Sequence, residues 1–251
     1  MIRWNDLNII ECVSKIENIV SHIYLAEDKM KIIIIGDTHG LFNYVNVVIK
    51  QEKPDLIISC GDFGYFPNLP EYAKRELMID TSHTTILFCD GNHEDHWALR
   101  ELKDRMIAPN IFYQPRGSTY RLPDGRNILF MGGANSIDKD RRIPGVSWWP
   151  EETISQNDFQ NLPEEGIDIF VTHTCSNEIF DSHIKKALNW GGKDVDPSYD
   201  ALSALWEMYQ PAQWFFGHFH INMSGLFGST RWHCLSAPRH GSGAWWMKLT
   251  D

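Results

Sequence analysis

Histidines, acids and an asparagine follow apolar runs at five places along this chain. The residues are Asp37, His39, Asp62, Asn92, His93, Glu94, His173, His218 and His220. A charged or polar group at the end of a buried strand is costly unless it has a partner. Imidazole and carboxylate groups together suit Mn, Fe or Zn ions, whereas Mg and Ca prefer shells made of oxygen alone. The residue types therefore predict a metal site.

The supply of candidate ligands exceeds the three or four protein groups that one zinc ion takes. Two ions about 3.5–4 Å apart can hold both the attacking and the leaving oxygen of a displacement at phosphorus. Asp62 is the natural bridging residue, because it follows the central predicted strand. Each motif alone also has a structural interpretation: Asp37 or Asn92 could cap a helix, and Gly61-Asp62 could be a turn. Their joint occurrence after successive strands favours the metal centre.

Alternating apolar runs and helical patterns must position these residues. Continuous Ile and Leu runs predict parallel strands covered on both faces, and ligands bind at the carboxyl ends of such strands. The predicted strands are Lys31–Ile35, Leu56–Cys60, Thr85–Cys89, Thr119–Leu122, Asn127–Met131, Ile167–Thr172, Gln213–Gly217, Arg231–Cys234 and Ala244–Leu249. The predicted helices are Trp4–Tyr24, Leu41–Glu52, Pro70–Ile79, His96–Arg105, Glu151–Leu162, Glu178–Leu188 and Tyr199–Tyr209. We expect one α/β domain with a mixed pair of sheets and a hairpin turn at Pro123-Asp124-Gly125.

Charge limits the class of partner. The formal net charge of -10 at pH 7 disfavours a surface that neutralises many phosphates, so no extended duplex nucleic acid is expected as a partner. A small phosphate ester stays compatible with this charge, because a bound metal supplies its own positive charge. The sequence leaves the oligomeric state open, including whether Trp4–Tyr24 packs on the domain or joins two chains.

Cysteine usage and the N-terminal segment predict a cytoplasmic protein. The cysteines are Cys12, Cys60, Cys89, Cys175 and Cys234. Their odd number and the lack of a CxxC spacing suit buried free thiols in a reducing compartment. No apolar stretch is long enough to span a membrane, and the first residues contain acids and lack the apolar core of a secretory signal.

As an ordered set, the motifs resemble the signature of the calcineurin-like metallophosphoesterase superfamily. The motifs are Gly36-Asp37-Thr38-His39-Gly40, Gly61-Asp62, Gly91-Asn92-His93-Glu94, Thr172-His173 and Gly217-His218-Phe219-His220. The resemblance spans Ile32 to about Lys248. It implies a four-layer αββα fold, a double β-sandwich flanked by helices. Residues 30–251 would then be the catalytic domain and residues 1–29 an additional N-terminal helical extension.

The resemblance also implies a role for each residue. Asp37, His39, Asp62 and His220 would bind the first metal, and Asp62, Asn92, His173 and His218 the second. The ions would be divalent or trivalent, with Mn expected and Fe or Zn as alternatives. His93 would be the proton donor to the leaving group, and a metal-bridging hydroxide would be the nucleophile. For Glu94 we expect a cap on the following helix rather than an orienting contact to His93.

Two departures from the family pattern disfavour the protein Ser/Thr phosphatase branch. The second motif continues as Gly61-Asp62-Phe63-Gly64-Tyr65-Phe66 and lacks the second Asp and the Arg of GDxVDRG. Cys89-Asp90 stands where that branch has an Arg before GNHE. The substrate class therefore stays open.

Substrate phosphate also needs a cation, and the polar segment Gly133–Arg142 supplies several. Arg is the usual residue for bidentate phosphate contacts. Arg141 or Arg142 is predicted to reach the substrate, and Trp148 or Trp149 to line the cleft. The alternative is a solvated loop whose aromatic residues pack on the core. Weaker candidates, expected behind the site or at the surface, are His96, Arg239 and His240; His22, His83, His183 and His233 are expected to be structural.

The sequence favours a dinuclear metal-dependent hydrolase of phosphate monoesters or diesters. Two alternatives are a nuclease acting on single-stranded nucleic acid ends and an inactive scaffold that keeps the fold. A scaffold would be expected to lose ligands or the proton donor, whereas every implied ligand and His93 are present here.

Overall fold

Strands in the described residues form two mixed sheets of six strands each. The computed structural model describes residues 30–68, 78–160, 162–164, 166–192 and 196–250. The strands are β1 Ile32–Ile35, β2 Leu56–Ser59, β3 Thr85–Phe88, β4 Met106–Ala108, β5 Ile111–Tyr113, β6 Thr119–Arg121, β7 Asn127–Met131, β8 Ile169–Thr172, β9 Gln213–Phe216, β10 Met223–Phe227, β11 Thr230–Cys234 and β12 Trp246–Lys248.

Both sheets have the same plan, with parallel strands in the centre and one antiparallel strand at each edge. The first sheet has the order β12-β1-β2-β3-β5-β4, and β12 and β4 are the antiparallel strands. The second has the order β10-β11-β9-β8-β7-β6, and β10 and β6 are antiparallel. Parallel pairing aligns the carboxyl ends of the central strands along one edge of each sheet.

Helices of varied length connect the strands. They are α1 Phe42–Glu52, α2 His96–Arg100, α3 Asn177–Ile179, α4 Lys185–Ala187 and α5 Pro197–Tyr209, and a π-helical turn, Phe180–Ile184, joins α3 to α4. Asp95 caps α2 by accepting a hydrogen bond from Ala98 N at 3.0 Å. Asp196 caps α5 by accepting one from Ser198 N at 2.8 Å, and Pro197 occupies the first helical position. Such caps satisfy N–H groups that have no partner inside the helix.

The central strands of each sheet are buried on both faces. In the first sheet Ile33, Ile57 and Phe88 pack in one cluster with Phe42 and Val45 of α1. Ile34 and Ile58, which point to the opposite face of the same strands, are also fully buried. The second sheet repeats this pattern, because Phe170 and Trp214 pack with Leu202 of α5 while Val171 and Phe215 are buried on the other face. Burial on both faces confirms the predicted arrangement of two stacked sheets between helical layers.

Most predicted elements are found, with ends shifted by one or two residues. The short strands β4, β5 and β10 were not predicted. The helix predicted for His96–Arg105 ends at Arg100, and that for Glu151–Leu162 is wrong: the described part of this segment contains the 3₁₀ turns Pro150–Glu152 and Gln156–Phe159 and no α-helix. A helix cannot continue there, because Ile154 N donates to Ser198 Oγ at 3.1 Å instead of to a carbonyl of its own segment.

Two predictions fall outside the described residues. They are the helix Trp4–Tyr24, with the N-terminal extension 1–29, and positions 70–77 of the helix Pro70–Ile79. Cys60, Cys89, Cys175 and Cys234 are buried free thiols, as predicted, whereas Cys12 is not described. Among the described residues no helix has the length and apolarity needed to cross a membrane.

Candidate metal centre

Four of the predicted ligands converge at the strand ends. Asp37, His39, Asp62 and His220 each offer one ligand atom, and these atoms all lie within 4.8 Å of one another. His39 Nε2 is 2.9 Å from His220 Nε2 and 3.6 Å from Asp62 Oδ2. His220 Nε2 is 3.2 Å from Asp37 Oδ2. Two carboxylates and two imidazoles in this arrangement suit an ion that accepts both oxygen and nitrogen ligands.

A second group adjoins the first through Asp62. Asn92 Oδ1 is 3.1 Å from His173 Nε2 and 3.1 Å from His218 Nδ1. His173 Nε2 is also 3.3 Å from Asp62 Oδ1. Asp62 therefore turns Oδ2 toward His39 in the first group and Oδ1 toward His173 in the second. The carboxylate has the orientation that a bridging ligand requires.

The backbone at these residues is unusual. His39, Asp62, His218 and His220 have φ angles of 47°, 47°, 67° and 53°. The left-handed region costs a residue with a side chain about 1–2 kcal/mol. Strain of this kind persists where the surroundings fix the conformation, and it concentrates at functional sites. Four of the seven predicted ligands share it here, so the surrounding structure fixes their backbone conformation.

Two glycines allow the carboxylates to lie against the backbone. A Cβ atom at Gly217 would lie 1.9 Å from Asp37 Oδ1, and one at Gly91 would lie 2.1 Å from Asp62 Oδ1. No side chain fits at such distances. Asp37 is held further by His218 N, which donates to both of its carboxylate oxygens at 3.0 and 2.9 Å. Gly217 thus makes room for the carboxylate of Asp37, and Gly91 makes room for that of Asp62.

Buried polar residues that were not predicted from the sequence orient Asn92. Its Nδ2 donates to Ser136 Oγ at 3.0 Å, which turns Oδ1 toward the histidines. Ser136 Oγ donates in turn to Glu152 Oε2 at 2.7 Å, and Ser136 N donates to Glu152 Oε1 at 2.7 Å. All three side chains are buried. Residues behind a ligand tune its orientation and affinity, so Ser136 and Glu152 belong to the site.

Asp62 and His173 shift each other's pKa in opposite directions. Burial acts to lower the pKa of His173, but the Asp62 carboxylate outweighs it and raises this pKa to about 10. Burial acts to raise the pKa of Asp62, but His173, with smaller help from His93 and His39, holds it well below its usual range. His218 responds in the opposite way, since burial and then the neighbouring His173 lower its pKa to about 3. His173 Nδ1 lies 2.8 Å from the Cys60 carbonyl, which leaves Nε2 facing the site.

His93 lies beside the ligand groups without joining them. Its backbone N–H donates to Asp62 Oδ1 at 2.8 Å, and its ring meets that of His39 edge to face at 5.0 Å between centroids. Arg142 Nη2 lies 2.9 Å from His93 Nε2, and Asp138 holds the same guanidinium at 2.7 Å. Burial lowers the pKa of His93. The Asp62 carboxylate acts to raise this pKa, and the positive charge of Arg142 lowers it further.

Only one of the two predicted arginines reaches this site. Arg142 lines the cavity beside the cluster, whereas Arg141 lies in the exposed turn Lys139–Arg141 and is absent from the described lining. The tryptophan prediction is wrong for Trp149, which is buried and packs against Phe66 and His96. Trp148 does not line the described cavity either: its Nε1 donates to Glu152 Oε1 at 2.9 Å.

Glu94 does not cap the following helix as predicted, since Asp95 does so. Its buried carboxylate instead accepts hydrogen bonds from Gly64 N at 2.9 Å and Gly91 N at 2.6 Å. Burial, followed by the charge of Asp62, raises the pKa of Glu94 to about 8. Glu94 thus links the segment after Gly61-Asp62 to its own motif, Gly91-Asn92-His93-Glu94.

Asp90, which replaces the Arg of the related branch, has a partner of its own. Arg116 Nη2 donates to Asp90 Oδ2 at 2.6 Å. Of the weaker candidates, His96 is buried with Nδ1 3.8 Å from Asp90 Oδ2, and Arg239 and His240 are exposed. His233 stacks on Phe215, and His183 packs near Trp232; His83 is exposed and His22 is not described.

A cavity of about 570 Å³ opens beside the cluster. Asp62, Asn92, His218 and His220 contribute to its lining, together with His93, Asn135, Asp138, Arg142 and Asp196. The apolar lining residues, which we call the apolar wall, are Ile137, Phe180, Leu188, Trp190, Tyr199 and Phe219. The sequence predicts a helix at Glu178–Leu188 but not this wall, because apolar residues in a helical pattern do not distinguish a cavity lining from the core.

Comparison with known proteins now identifies the class of fold and site. The family model for calcineurin-like phosphoesterases matches residues 30–222. The chain belongs to this family. The resemblance given by the five motifs is thereby confirmed, as is the fold that it implied.

Individual relatives are distant. The chain is 25% identical over 238 residues to a lariat debranching enzyme of Gallus gallus and 24% identical over 229 residues to that of Schizosaccharomyces pombe. Each alignment covers 78% of this chain but 44% and 49% of the relative, so the chain spans about half the length of the curated relatives it matches. Among solved structures, the phosphopantetheinyl hydrolase of Mycobacterium tuberculosis matches with a TM-score of 0.50 and 14% identity, over 88% of this chain and 96% of that one. This likeness concerns the fold.

Proposed function

We propose that this protein is a dinuclear metal-dependent phosphoesterase that hydrolyses a phosphate monoester or diester. The observation that carries the proposal is the pair of ligand groups sharing Asp62, one oxygen toward His39 and the other toward His173. A single carboxylate between two sets of ligands is the arrangement that a two-metal clamp on phosphorus needs.

The donor set fits two ions of the Mn, Fe or Zn type. Asp37, His39, Asp62 and His220 would hold one, and Asp62, Asn92, His173 and His218 the other. The imidazole content argues against Ca and Mg. Mn is our first choice.

Ions held by these residues would supply Lewis acidity, which activates water for attack on phosphorus and offsets the negative charge of the phosphoryl oxygens. We assign to His93 the transfer of a proton to the leaving oxygen as the P–O bond breaks, with support from its ring, which lies beside His39 and lines the cavity. We assign to Arg142 the binding of a phosphoryl oxygen, since it lines the same cavity beside His93. Asp138 holds Arg142 in that position.

A second candidate activity is cleavage within nucleic acid. It is supported by the relatives named lariat debranching enzyme. The net charge of -10 restricts such a substrate to a short single-stranded segment or a branch rather than a duplex. An inactive scaffold is disfavoured, because all seven proposed ligands and His93 are retained, and strained backbone is maintained at four of the ligands.

The test is hydrolysis of p-nitrophenyl phosphate and bis-p-nitrophenyl phosphate by protein loaded with Mn²⁺. We expect metal-dependent release of p-nitrophenol from at least one of the two esters, and loss of about 100-fold or more in Asp62→Ala and in His93→Ala. Release that is equal in Asp62→Ala, or that no divalent metal stimulates, would refute the proposal and favour the scaffold.

A further inference from the structure

The cavity beside the proposed metal centre is much larger than a phosphate group needs. Its volume of about 570 Å³ lies in the range of pockets that hold ligands of nucleoside or drug size, roughly 300–1,000 Å³. Space beyond the phosphate site is therefore available for the organic part of an ester.

Charge is distributed unevenly over this cavity. Arg142, a cation among the described lining residues, lies at the side of His93 together with the proposed metal ligands. Asp138, which pairs with Arg142, and Asp196, which caps α5, also line it, and apart from Asn135 the remaining described lining is apolar. Leu188, Trp190 and Phe219 pack against the hydrophobic core yet remain partly exposed, and all three line the cavity. A ligand that is anionic at one end and apolar at the other matches this polarity.

Aromatic rings form a continuous part of the apolar wall. Phe219 stands between the ligands His218 and His220 in the chain, and its ring meets that of His218 edge to face, with centroids 5.0 Å apart. Phe180 lies next to Phe219 at 5.8 Å and stacks on Tyr199 at 4.7 Å. The wall thus begins at the metal ligands and extends away from them.

We propose that this wall is a subsite for a planar aromatic ring, of the size of a nucleobase or a phenyl group, carried by the phosphate substrate. Aromatic rings prefer offset or edge-to-face contacts with other rings, and a wall of tilted rings offers both. The proposal rests on the proposed phosphoesterase function and narrows its substrate class. Sugar phosphates and bare phosphate would leave the wall uncovered.

Binding can test the subsite without any turnover. The ligands are methylphosphonate, cyclohexylphosphonate and phenylphosphonate, which share one anionic group, titrated by calorimetry into the full chain loaded with Mn²⁺. We expect phenylphosphonate to bind roughly 10-fold to 100-fold more tightly than methylphosphonate, with cyclohexylphosphonate between them. Equal affinities of the methyl and phenyl ligands would overturn the subsite, and so would tighter binding of the cyclohexyl ligand than of the phenyl ligand.

Matched variants test whether the residues of the apolar wall cause the preference for phenylphosphonate over methylphosphonate. Trp190→Leu and Phe219→Leu should each reduce the phenyl-to-methyl affinity ratio at least threefold. Trp206→Leu is the control, because Trp206 packs on Phe227 outside the described cavity lining, and it should keep the ratio. Melting temperatures of all variants identify any loss of folding, and the ratio is insensitive to the fraction of active protein. A ratio unchanged in both wall variants would also overturn the proposal.

Hydrolysis assays distinguish a failure of the aromatic subsite from a failure of the proposed phosphoesterase function. Methyl and phenyl esters of p-nitrophenyl phosphate share one leaving group, and the phenyl ester should have the higher kcat/KM. If neither ester is hydrolysed with any metal while phenylphosphonate still binds selectively, the proposed function fails and the subsite stands. If both are hydrolysed at equal kcat/KM and the phosphonates bind equally, the function stands and the subsite fails.

Discussion

Replacing Arg116 by Met removes a buried cation that joins several loops behind the candidate metal centre. Its Nε and Nη2 donate to Asp90 Oδ2 at 3.0 and 2.6 Å. Its Nη1 donates to the Thr153 carbonyl at 2.7 Å, and Nη2 donates to the Glu152 carbonyl at 3.0 Å. The side chains of Arg116 and Asp90 are only 8% and 1% exposed. Met keeps most of the apolar stem and removes the charge and the donors.

The expected loss of stability follows from the charge that stays behind. Breaking a buried ion pair by removing one partner costs roughly 3–5 kcal/mol, because the other charge is left uncompensated. In a domain of this size, 1 kcal/mol lowers the melting temperature by roughly 2–4 °C. Arg116→Met should therefore melt about 6–20 °C below the unmodified protein. Combining it with Asp90→Asn removes the stranded charge and should recover part of this loss.

Thermal unfolding followed by circular dichroism measures the effect, with Arg100→Met as the control. Arg100 forms an exposed ion pair with Glu151 at 3.4 Å, its side chain 62% exposed. Such pairs contribute about 0–1 kcal/mol, so the control should shift the melting temperature by less than about 4 °C. If Arg116→Met melts within about 2 °C of the control, the buried pair does not stabilise the protein as we infer.

Three further predictions concern the candidate site and its surroundings. Ser136→Ala should weaken binding of one of two Mn²⁺ ions by roughly 10-fold to 100-fold, because it frees the Asn92 amide; a Mn²⁺ titration with two unchanged affinities would contradict this. Arg142→Ala should lower kcat/KM for phosphate esters by roughly 10-fold or more, while Arg141→Ala should not, since only Arg142 lines the cavity; unchanged kinetics in both variants would exclude an arginine contact. Burial lowers the pKa of His96 to about 4, below its ordinary value of about 6.5. Between these pH values the unfolded chain therefore binds more protons than the folded protein does. The free energy of unfolding should fall by about 3 kcal/mol as the pH drops from 6.5 to 4. Chemical denaturation across this range should show a shallower fall in His96→Gln, and equal slopes would exclude His96 as the source.

The sequence predicted the parts of the site that local patterns encode. Apolar runs gave the central strands, and the residues after these runs include every proposed ligand. Parallel pairing then brings predicted ligands from distant positions together, as Asp37 and His220 show at 3.2 Å. No knowledge of side-chain conformation was needed for that inference, because the topology alone aligns the strand ends.

Contacts between distant loops could not be predicted in this way. Ser136 is 44 positions from Asn92 and 16 from Glu152, and no periodicity links the three. The prediction of a helix across Glu152 failed for the same reason, since its buried carboxylate is held by Ser136 and Trp148. The local pattern predicts a helix cap at Glu94, whereas its carboxylate accepts from Gly91 N in its own motif and from Gly64 N, 30 positions away.

The most direct test of the central claim is to locate metal in crystals of the protein grown with Mn²⁺, by anomalous scattering. We predict two peaks about 3.5–4 Å apart, with Asp62 between them, His39 and His220 at one ion, and His173 and His218 at the other. A single peak at full occupancy, or two ions that do not share Asp62, would contradict a dinuclear centre.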